Sequence, residues 1–162
     1  MGGNRGLQRQ RDNEMTIDTD TLEANAPGAG TDAIGYGVVI PFVQHLGIEL
    51  IEQGRERAVV RLARKPELLN SWGTTHGGVI MTMMDLVMCC AVRGWYGTQS
   101  AVLTVDMSVG FLNASDGVLT AEGRVLNAGR STVFCESEAR AEDGRLLAKS
   151  IGTFKLVADR KA

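Results

Sequence analysis

The chain has 162 residues, of which 44% are apolar and 22% charged, and its formal net charge is −2. This size and composition are typical of one soluble globular domain. Acidic and basic residues are interspersed and form no basic stripe, so nucleic-acid binding is not expected. The cysteines, Cys89, Cys90 and Cys135, lack metal-ligand spacing, and only two histidines are present. We therefore expect neither a disulfide framework nor a metal site.

The first segment, residues 1–32, is rich in glycine and polar residues and has no apolar period. It is predicted to be a disordered leader, followed by one folded domain over residues 33–158. The leader lacks the apolar core of a secretory signal. The longest apolar stretch, residues 79–92, is shorter than the roughly 20 residues of a membrane span. We expect a cytoplasmic protein that does not associate with membranes.

The first half of the predicted domain contains two strands and one long helix. A short helical turn is expected after Pro41 and ends at Gly47. Residues 48–52 and 57–63 have the composition of two strands joined by a turn. A polar loop over residues 70–75 then leads into a helix that runs from Gly77 to about residue 92.

Beyond Gly94 the apolar period changes from helical spacing to two. Six apolar residues alternate with a polar row that includes Thr104, which predicts a strand over residues 101–111. Further strands are predicted at residues 118–128, 132–141 and 146–157, with a hairpin turn at 142–144. Short connections favour antiparallel pairing. The sequence thus predicts an α+β domain, in which a five- to six-stranded antiparallel sheet holds one helix.

One carboxylate interrupts the long helix. The helix is apolar nearly all round and should therefore be buried against the sheet. Asp85 lies in the middle of it, where an unpartnered carboxylate would be costly. Such a carboxylate is either functional, with a shifted pKa, or structural, pairing with a loop or an arginine. The residues alone leave both interpretations open.

The entry to the helix is the segment from Thr74 to Gly78, which ends in His76-Gly77-Gly78. Adjacent glycines allow a ligand or another backbone to approach closely. The first amides of a helix have no intrahelical acceptor and lie at its positive end, so they can stabilise a developing oxyanion. The alternative is that the two glycines only ease a tight loop into a buried helix.

Together these residues form a longer motif: Asn70-x-x-Gly73-x-x-His76-Gly77-Gly78-x₆-Asp85. It resembles the signature of the hot-dog-fold thioesterase superfamily, in particular the phenylacetate-degradation (PaaI) type and the 4-hydroxybenzoyl-CoA thioesterases. The resemblance extends over about residues 40–157. It implies a hot-dog fold, hydrolysis of an acyl-CoA or aryl-CoA thioester, and no cofactor other than the coenzyme A of the substrate.

The resemblance also implies roles for individual residues. Asp85 corresponds to the carboxylate that attacks the thioester or activates water, and the Gly77 amide corresponds to the donor that polarises the carbonyl. Asn70 and His76 correspond to loop residues that orient water and substrate. Thr104 falls where relatives carry a hydroxyl near the reacting water, although an exposed threonine is equally natural on the polar row of its strand.

A second group of residues is implied in binding coenzyme A. Gly78 belongs to the glycine pair at the helix entry, and the remaining members lie between two predicted strands: Asn127, Gly129, Arg130 and Ser131. Arginine suits phosphate, and glycine permits close approach. A simple turn between strands would explain the same segment.

Helix geometry predicts that two subunits share each active site. Gly77 and Asp85 are eight residues apart, which places them about 12 Å apart along the axis and on different faces. One carbonyl cannot contact both, but two antiparallel helices related by a two-fold axis can supply one group each. The resemblance likewise implies homodimers that pair into homotetramers. Two alternative functions remain, a non-catalytic acyl-CoA-binding domain and, less well matched by the motif, a hot-dog dehydratase.

Overall fold

A computed structural model describes residues 39–97 and 101–157, so the predicted leader, residues 1–32, lies outside the described residues. The first half contains α1 (Pro41–Leu46), β1 (Ile48–Gln53), β2 (Ala58–Leu62), a 3₁₀ turn (Pro66–Leu68) and α2 (Gly77–Tyr96). The second half contains β3 (Val102–Phe111), β4 (Leu119–Ala128), β5 (Thr132–Ala141) and β6 (Leu146–Leu156).

The six strands form one antiparallel sheet in the order β1-β2-β4-β5-β6-β3. The strands β1 and β3 are the two edges of this sheet. Helix α2 lies across the sheet and contacts all six strands. The predicted α+β hot-dog architecture is therefore confirmed, with six strands around one long helix.

Helix α2 is longer than the sequence predicted, because it continues to Tyr96 before Gly97 ends it in the left-handed conformation. By length and composition alone this helix would suit a membrane span. However, 56% of its most apolar window is buried inside the protein, where it packs on the sheet as the core helix of the domain. Its apolar character is explained by that packing.

Two glycines bring the backbone of α2 close to the sheet and the β1–β2 turn. A Cβ atom at Gly123 of β4 would lie 2.8 Å from the carbonyl group of Val87, and one at Gly94 would overlap the carbonyl oxygen of Gly54. The Gln53 side chain adds a hydrogen bond from Nε2 to the Cys90 carbonyl at 2.8 Å. These contacts fix the middle and the C-terminal end of α2 against its support.

A β-bulge in β3 changes the expected orientation of its side chains. Thr104 pairs with Phe154, but Asp106 pairs with Thr153, so Val105 is an extra residue in the ladder. The regular alternation predicted from the sequence was therefore wrong at this point. Val105 is 61% exposed instead of buried, and Thr104 faces helix α2. A bulge shifts the side-chain alternation by one position, which explains the change.

The outer face of the sheet carries a network of ion pairs. Arg57 contacts Glu52 at 2.8 Å and Glu122 at 3.2 Å. Further pairs cross the same face: Arg124 with Glu122 and Glu136, Lys149 with Glu136 and Glu138, and Arg140 with Glu138. These side chains are partly exposed, so each pair contributes little to stability. The network keeps the basic side chains of this face next to acidic partners.

Candidate active site

The carboxylate of Asp85 and the hydroxyl of Thr104 meet between helix α2 and edge strand β3. Thr104 Oγ1 donates a hydrogen bond of 2.7 Å to Asp85 Oδ1. The bulge at Val105 makes this contact possible, because it turns Thr104 toward the helix. The structure thus brings together two of the residues that the sequence singled out, one from each element.

The environment of Asp85 opposes its ionisation. Burial raises the pKa of the Asp85 carboxyl above its ordinary value, and the hydrogen bond from Thr104 lowers the pKa in part because it stabilises the charged form. Asp85 remains partly accessible. A partly accessible carboxylate with a raised pKa has the properties of a general base or nucleophile that works near neutral pH.

Asp85 and Thr104 open into a cleft of about 430 Å³. Helix α2 forms its floor, and α1 and β3 form two of its sides. Most of the lining is apolar or sulfur-containing, and the lining residues are Ile40, Phe42, Val43, Met81, Thr82, Asp85, Leu86, Cys89, Cys90, Arg93, Val102, Thr104 and Met107. An apolar cleft with a few polar groups is typical of a small-molecule site.

The helix floor of the cleft is a stripe of residues at four-residue spacing. Met81, Asp85, Cys89 and Arg93 are, with Thr82, the exposed or half-buried positions of an otherwise buried segment, residues 81–93. Arg93 and Cys89 were not among the predicted site residues; for Arg93 the reason is that the helix was expected to end near residue 92. The four-residue spacing was the available signal.

The cysteines are poor candidates for the reacting group. Burial raises the pKa of the Cys90 thiol to about 12. Burial also raises the pKa of the Cys89 thiol, and the nearby charge of Asp85 adds to that effect. Because the thiolate is the reactive form, burial disfavours reaction at these thiols near neutral pH. Asp85 is therefore the ionisable group of this cleft that can act as a base or a nucleophile.

The loop before α2 is firmly anchored. Asn70 Oδ1 accepts hydrogen bonds from the amides of Trp72 and Thr74, and its Nδ2 donates to Thr74 Oγ1 at 2.8 Å. The amide of Thr75 donates to the Ser115 carbonyl at 2.7 Å. Asn70 therefore holds the loop in shape, and in this chain it does not line the cleft.

His76 is the N-cap of α2, and its Nδ1 accepts a hydrogen bond of 3.0 Å from the Gly78 amide. In the neutral imidazole this leaves Nε2 as the proton donor on an exposed side chain. The Gly77 amide has no acceptor among the described residues. It is a free donor at the positive end of a 20-residue helix. Neither glycine of the pair lines the cleft with Asp85.

The predicted coenzyme A segment forms the turn between β4 and β5. Tyr96, at the end of α2, donates a 2.6 Å hydrogen bond from its hydroxyl to the Gly129 carbonyl. The Ser131 carbonyl accepts from the Leu156 amide, and the side chains of Asn127 and Arg130 are exposed. This turn lies at the C-terminal end of α2, and it does not line the cleft with Asp85.

The chain matches the model of the thioesterase superfamily over residues 73–148. A candidate esterase of Saccharolobus solfataricus is 32% identical over 113 residues, which are 69% of this chain and 80% of that protein. The medium/long-chain acyl-CoA thioesterase YigI of Escherichia coli is 24% identical over 71% of this chain and 84% of its own length. The chain belongs to the thioesterase superfamily.

Solved structures agree with this assignment. A conserved protein of Pseudomonas aeruginosa superposes with a TM-score of 0.70 and 31% identity, covering 74% of this chain and 95% of that one. The PaaI protein of Escherichia coli, from the phenylacetic acid degradation operon, superposes with a TM-score of 0.68 and 21% identity. The superposition covers 74% of this chain and 86% of that one. The second similarity concerns the fold alone. The resemblance to the hot-dog-fold thioesterase superfamily drawn from the motif is confirmed.

Proposed function

We propose that this protein hydrolyses acyl-CoA or aryl-CoA thioesters to the free acid and coenzyme A, with Asp85 as the essential carboxylate. The observation that carries the proposal is the Asp85–Thr104 hydrogen bond of 2.7 Å at the floor of an apolar cleft. An acyl chain suits the apolar walls, and the thioester carbonyl would then lie next to the carboxylate. The acyl-CoA thioesterase activity named for the Escherichia coli relative supports the same substrate class.

Asp85 can act in two ways. As a nucleophile, its carboxylate adds to the thioester carbonyl, coenzyme A leaves as a thiolate that takes up a proton, and water hydrolyses the resulting anhydride. As a general base, it removes a proton from water as the water adds to the carbonyl, and coenzyme A then leaves as a thiolate that takes up this proton. Both routes consume one water molecule and need no further cofactor. The Thr104 hydroxyl holds the carboxylate in place in either case.

The oxyanion donor comes from a second subunit in this proposal. The Gly77 amide has no acceptor in the part of the chain that the structure describes, but Gly77 lies about 12 Å along the helix axis from Asp85. A two-fold pairing of chains would place the α2 entry of one subunit near Asp85 of the other and create two equivalent sites. The loop of Asn70 and His76 would then border the site from the opposite subunit, and Arg130 would bind the phosphates of coenzyme A.

Thiol release from a panel of acyl-CoA and aryl-CoA thioesters tests the activity. Replacing Asp85 with asparagine, which is nearly isosteric and can still accept from Thr104, should lower kcat at least about 10²-fold. The matched control is Asp106→Asn, since Asp106 is an exposed carboxylate on the same strand as Thr104. Near wild-type turnover by Asp85→Asn would refute the assignment. Tight acyl-CoA binding by the wild type without thiol release would instead identify the alternative, a non-catalytic binding domain.

Mixing two inactive variants tests the shared site. Asp85→Asn subunits are combined with subunits that carry both Asn70→Ala and His76→Ala. At equal amounts, half of the dimers are mixed and each holds one intact site of two, so about a quarter of wild-type activity should return. If subunit exchange is confirmed by mass and no activity returns, each site belongs to one subunit.

A further inference from the structure

Arg93 lies on the floor of the cleft, eight residues after Asp85, and its guanidinium has no hydrogen-bond or ion-pair partner among the described residues. Its Nε is the one buried side-chain nitrogen or oxygen without a hydrogen bond among the described residues. No ion pair or hydrogen bond to its guanidinium is present in that part of the chain. A guanidinium offers five donors and stays charged at all ordinary pH values. Leaving it partly buried and unpaired is unfavourable.

The other arginines show how unusual this is. Arg57, Arg124 and Arg140 pair with glutamates on the outer face of the sheet, and Arg55 lies over the Trp95 ring at 4.9 Å. The arginines of residues 39–97 and 101–157 that lack such partners are exposed and can be hydrated by water. Arg93 instead lies among apolar side chains of the cleft, where burial of a ligand would remove what water remains.

A ligand that suits this position carries an anion at the end of its acyl chain. Arginine binds carboxylates through two parallel hydrogen bonds, which a neutral chain end cannot replace. The Cα atoms of Asp85 and Arg93 are about 12 Å apart along the helix and about 80° apart around its axis, and both side chains line the cleft. An arginine side chain leans toward the helix N-terminus, which shortens the gap. A thioester carbonyl at Asp85 and a carboxylate at Arg93 would therefore be separated by an acyl chain of about five to eight carbons.

We propose that the preferred substrates are coenzyme A thioesters of dicarboxylic acids, with Arg93 as the residue that determines specificity by binding the distal carboxylate. This inference rests on the proposed thioesterase function. The apolar lining contacts the methylene chain, while the thioester end of the acyl group meets Asp85 and its distal carboxylate meets Arg93. A neutral acyl chain of equal length would bury the guanidinium without a partner.

Matched substrate pairs test the proposal: glutaryl-, adipyl- and suberyl-CoA against pentanoyl-, hexanoyl- and octanoyl-CoA. At the best length, kcat/KM should be about tenfold to a hundredfold higher for the dicarboxylic member, the range for a hydrogen bond to a charged group. Arg93→Met should abolish this preference, and Arg93→Lys should keep part of it. The control is Arg61→Met, an exposed arginine on β2, which should leave the preference unchanged.

The outcomes separate this proposal from the function on which it rests. No thiol release from any thioester would overturn the proposed function. Hydrolysis with no preference for the dicarboxylic members, or with a preference that Arg93→Met does not alter, would overturn the role of Arg93 alone. Because Arg93 makes no bond in the described chain, Arg93→Met should keep or raise Tm. A large decrease in Tm with an unchanged substrate preference would show that Arg93 is structural, and would also overturn the proposal.

Discussion

Replacing Thr104 with valine removes the one hydrogen bond that the described side chains donate to Asp85, at nearly constant shape. Valine suits a strand, so β3 should be retained. The bond stabilises the charged carboxylate, and its loss should therefore raise the pKa of Asp85 beyond the increase already caused by burial.

The size of this effect follows from the contact. A hydrogen bond to a charged group contributes about 1.5–3 kcal/mol, and one pKa unit corresponds to about 1.4 kcal/mol. Thr104 is exposed, so water replaces part of the lost bond, and we expect a pKa increase of about one unit. The acidic limb of the pH profile of kcat/KM should move to higher pH by that amount.

Thiol release measured across pH provides the assay, and two variants provide the controls. Thr104→Ser keeps a hydroxyl and should leave the limb near its wild-type position. Thr82→Val removes a hydroxyl that lines the same cleft but donates to the Gly78 carbonyl at 2.9 Å, so it should not move the limb. A limb that stays in place in Thr104→Val, or that moves equally in Thr82→Val, would contradict a role for Thr104 in tuning Asp85.

Three further predictions concern stability and binding. Burial raises the folded-state pKa of Asp85, so stability is lost as pH rises from 3.8 through that pKa. The asparagine of the Asp85→Asn variant cannot ionise, so the variant escapes this loss of stability. The increase in its Tm relative to the wild type should be larger near pH 7.5 than near pH 4, and an equal increase at both pH values would contradict the link between Asp85 ionisation and stability. Gly123→Ala should lower the free energy of unfolding by roughly 1–3 kcal/mol, because the added methyl group would press on the α2 backbone, and Tm should decrease. The control is Gly110→Ala, whose methyl group would meet only ordinary contacts and should change Tm little. Arg130→Ala should raise KM more than it lowers kcat, and less for a pantetheine thioester that lacks the nucleotide; equal effects would remove Arg130 from the nucleotide site.

The order of the elements could be predicted from the sequence because each has a strong local signal. The helix begins at its glycine pair, and the strands show alternation bounded by turn residues. Asp85 could be selected because a carboxylate on an apolar helix is rare and costly. These signals depend on neighbouring residues only, which a single sequence provides.

The rest depends on contacts between elements. The bulge at Val105 arises where β3 pairs with β6, and no local residue pattern predicts the extra residue. The sequence consequently placed Thr104 on the outer polar row. Four-residue spacing relates Arg93 to Asp85 in the sequence, but the placement of α1 and β3 beside α2 is what shows that Arg93 lines a cleft. The roles of Asn70, His76, Gly77 and Arg130 stay predictions, because they require a second subunit or bound coenzyme A.

The helix that forms the floor of the cleft, α2, is packed firmly on the sheet, whereas α1, which forms one of its sides, is held by few contacts. Helix α2 is held by glycine-mediated contacts along the sheet, whereas α1 is six residues long and buries only Val43 and Leu46. Local opening is easiest where few apolar contacts must break. Ligand entry should therefore proceed through transient separation of α1, with amide hydrogen exchange in α1 fast in the free protein and slowed by a bound ligand. Amides in the middle of α2 should exchange only through unfolding of the whole domain.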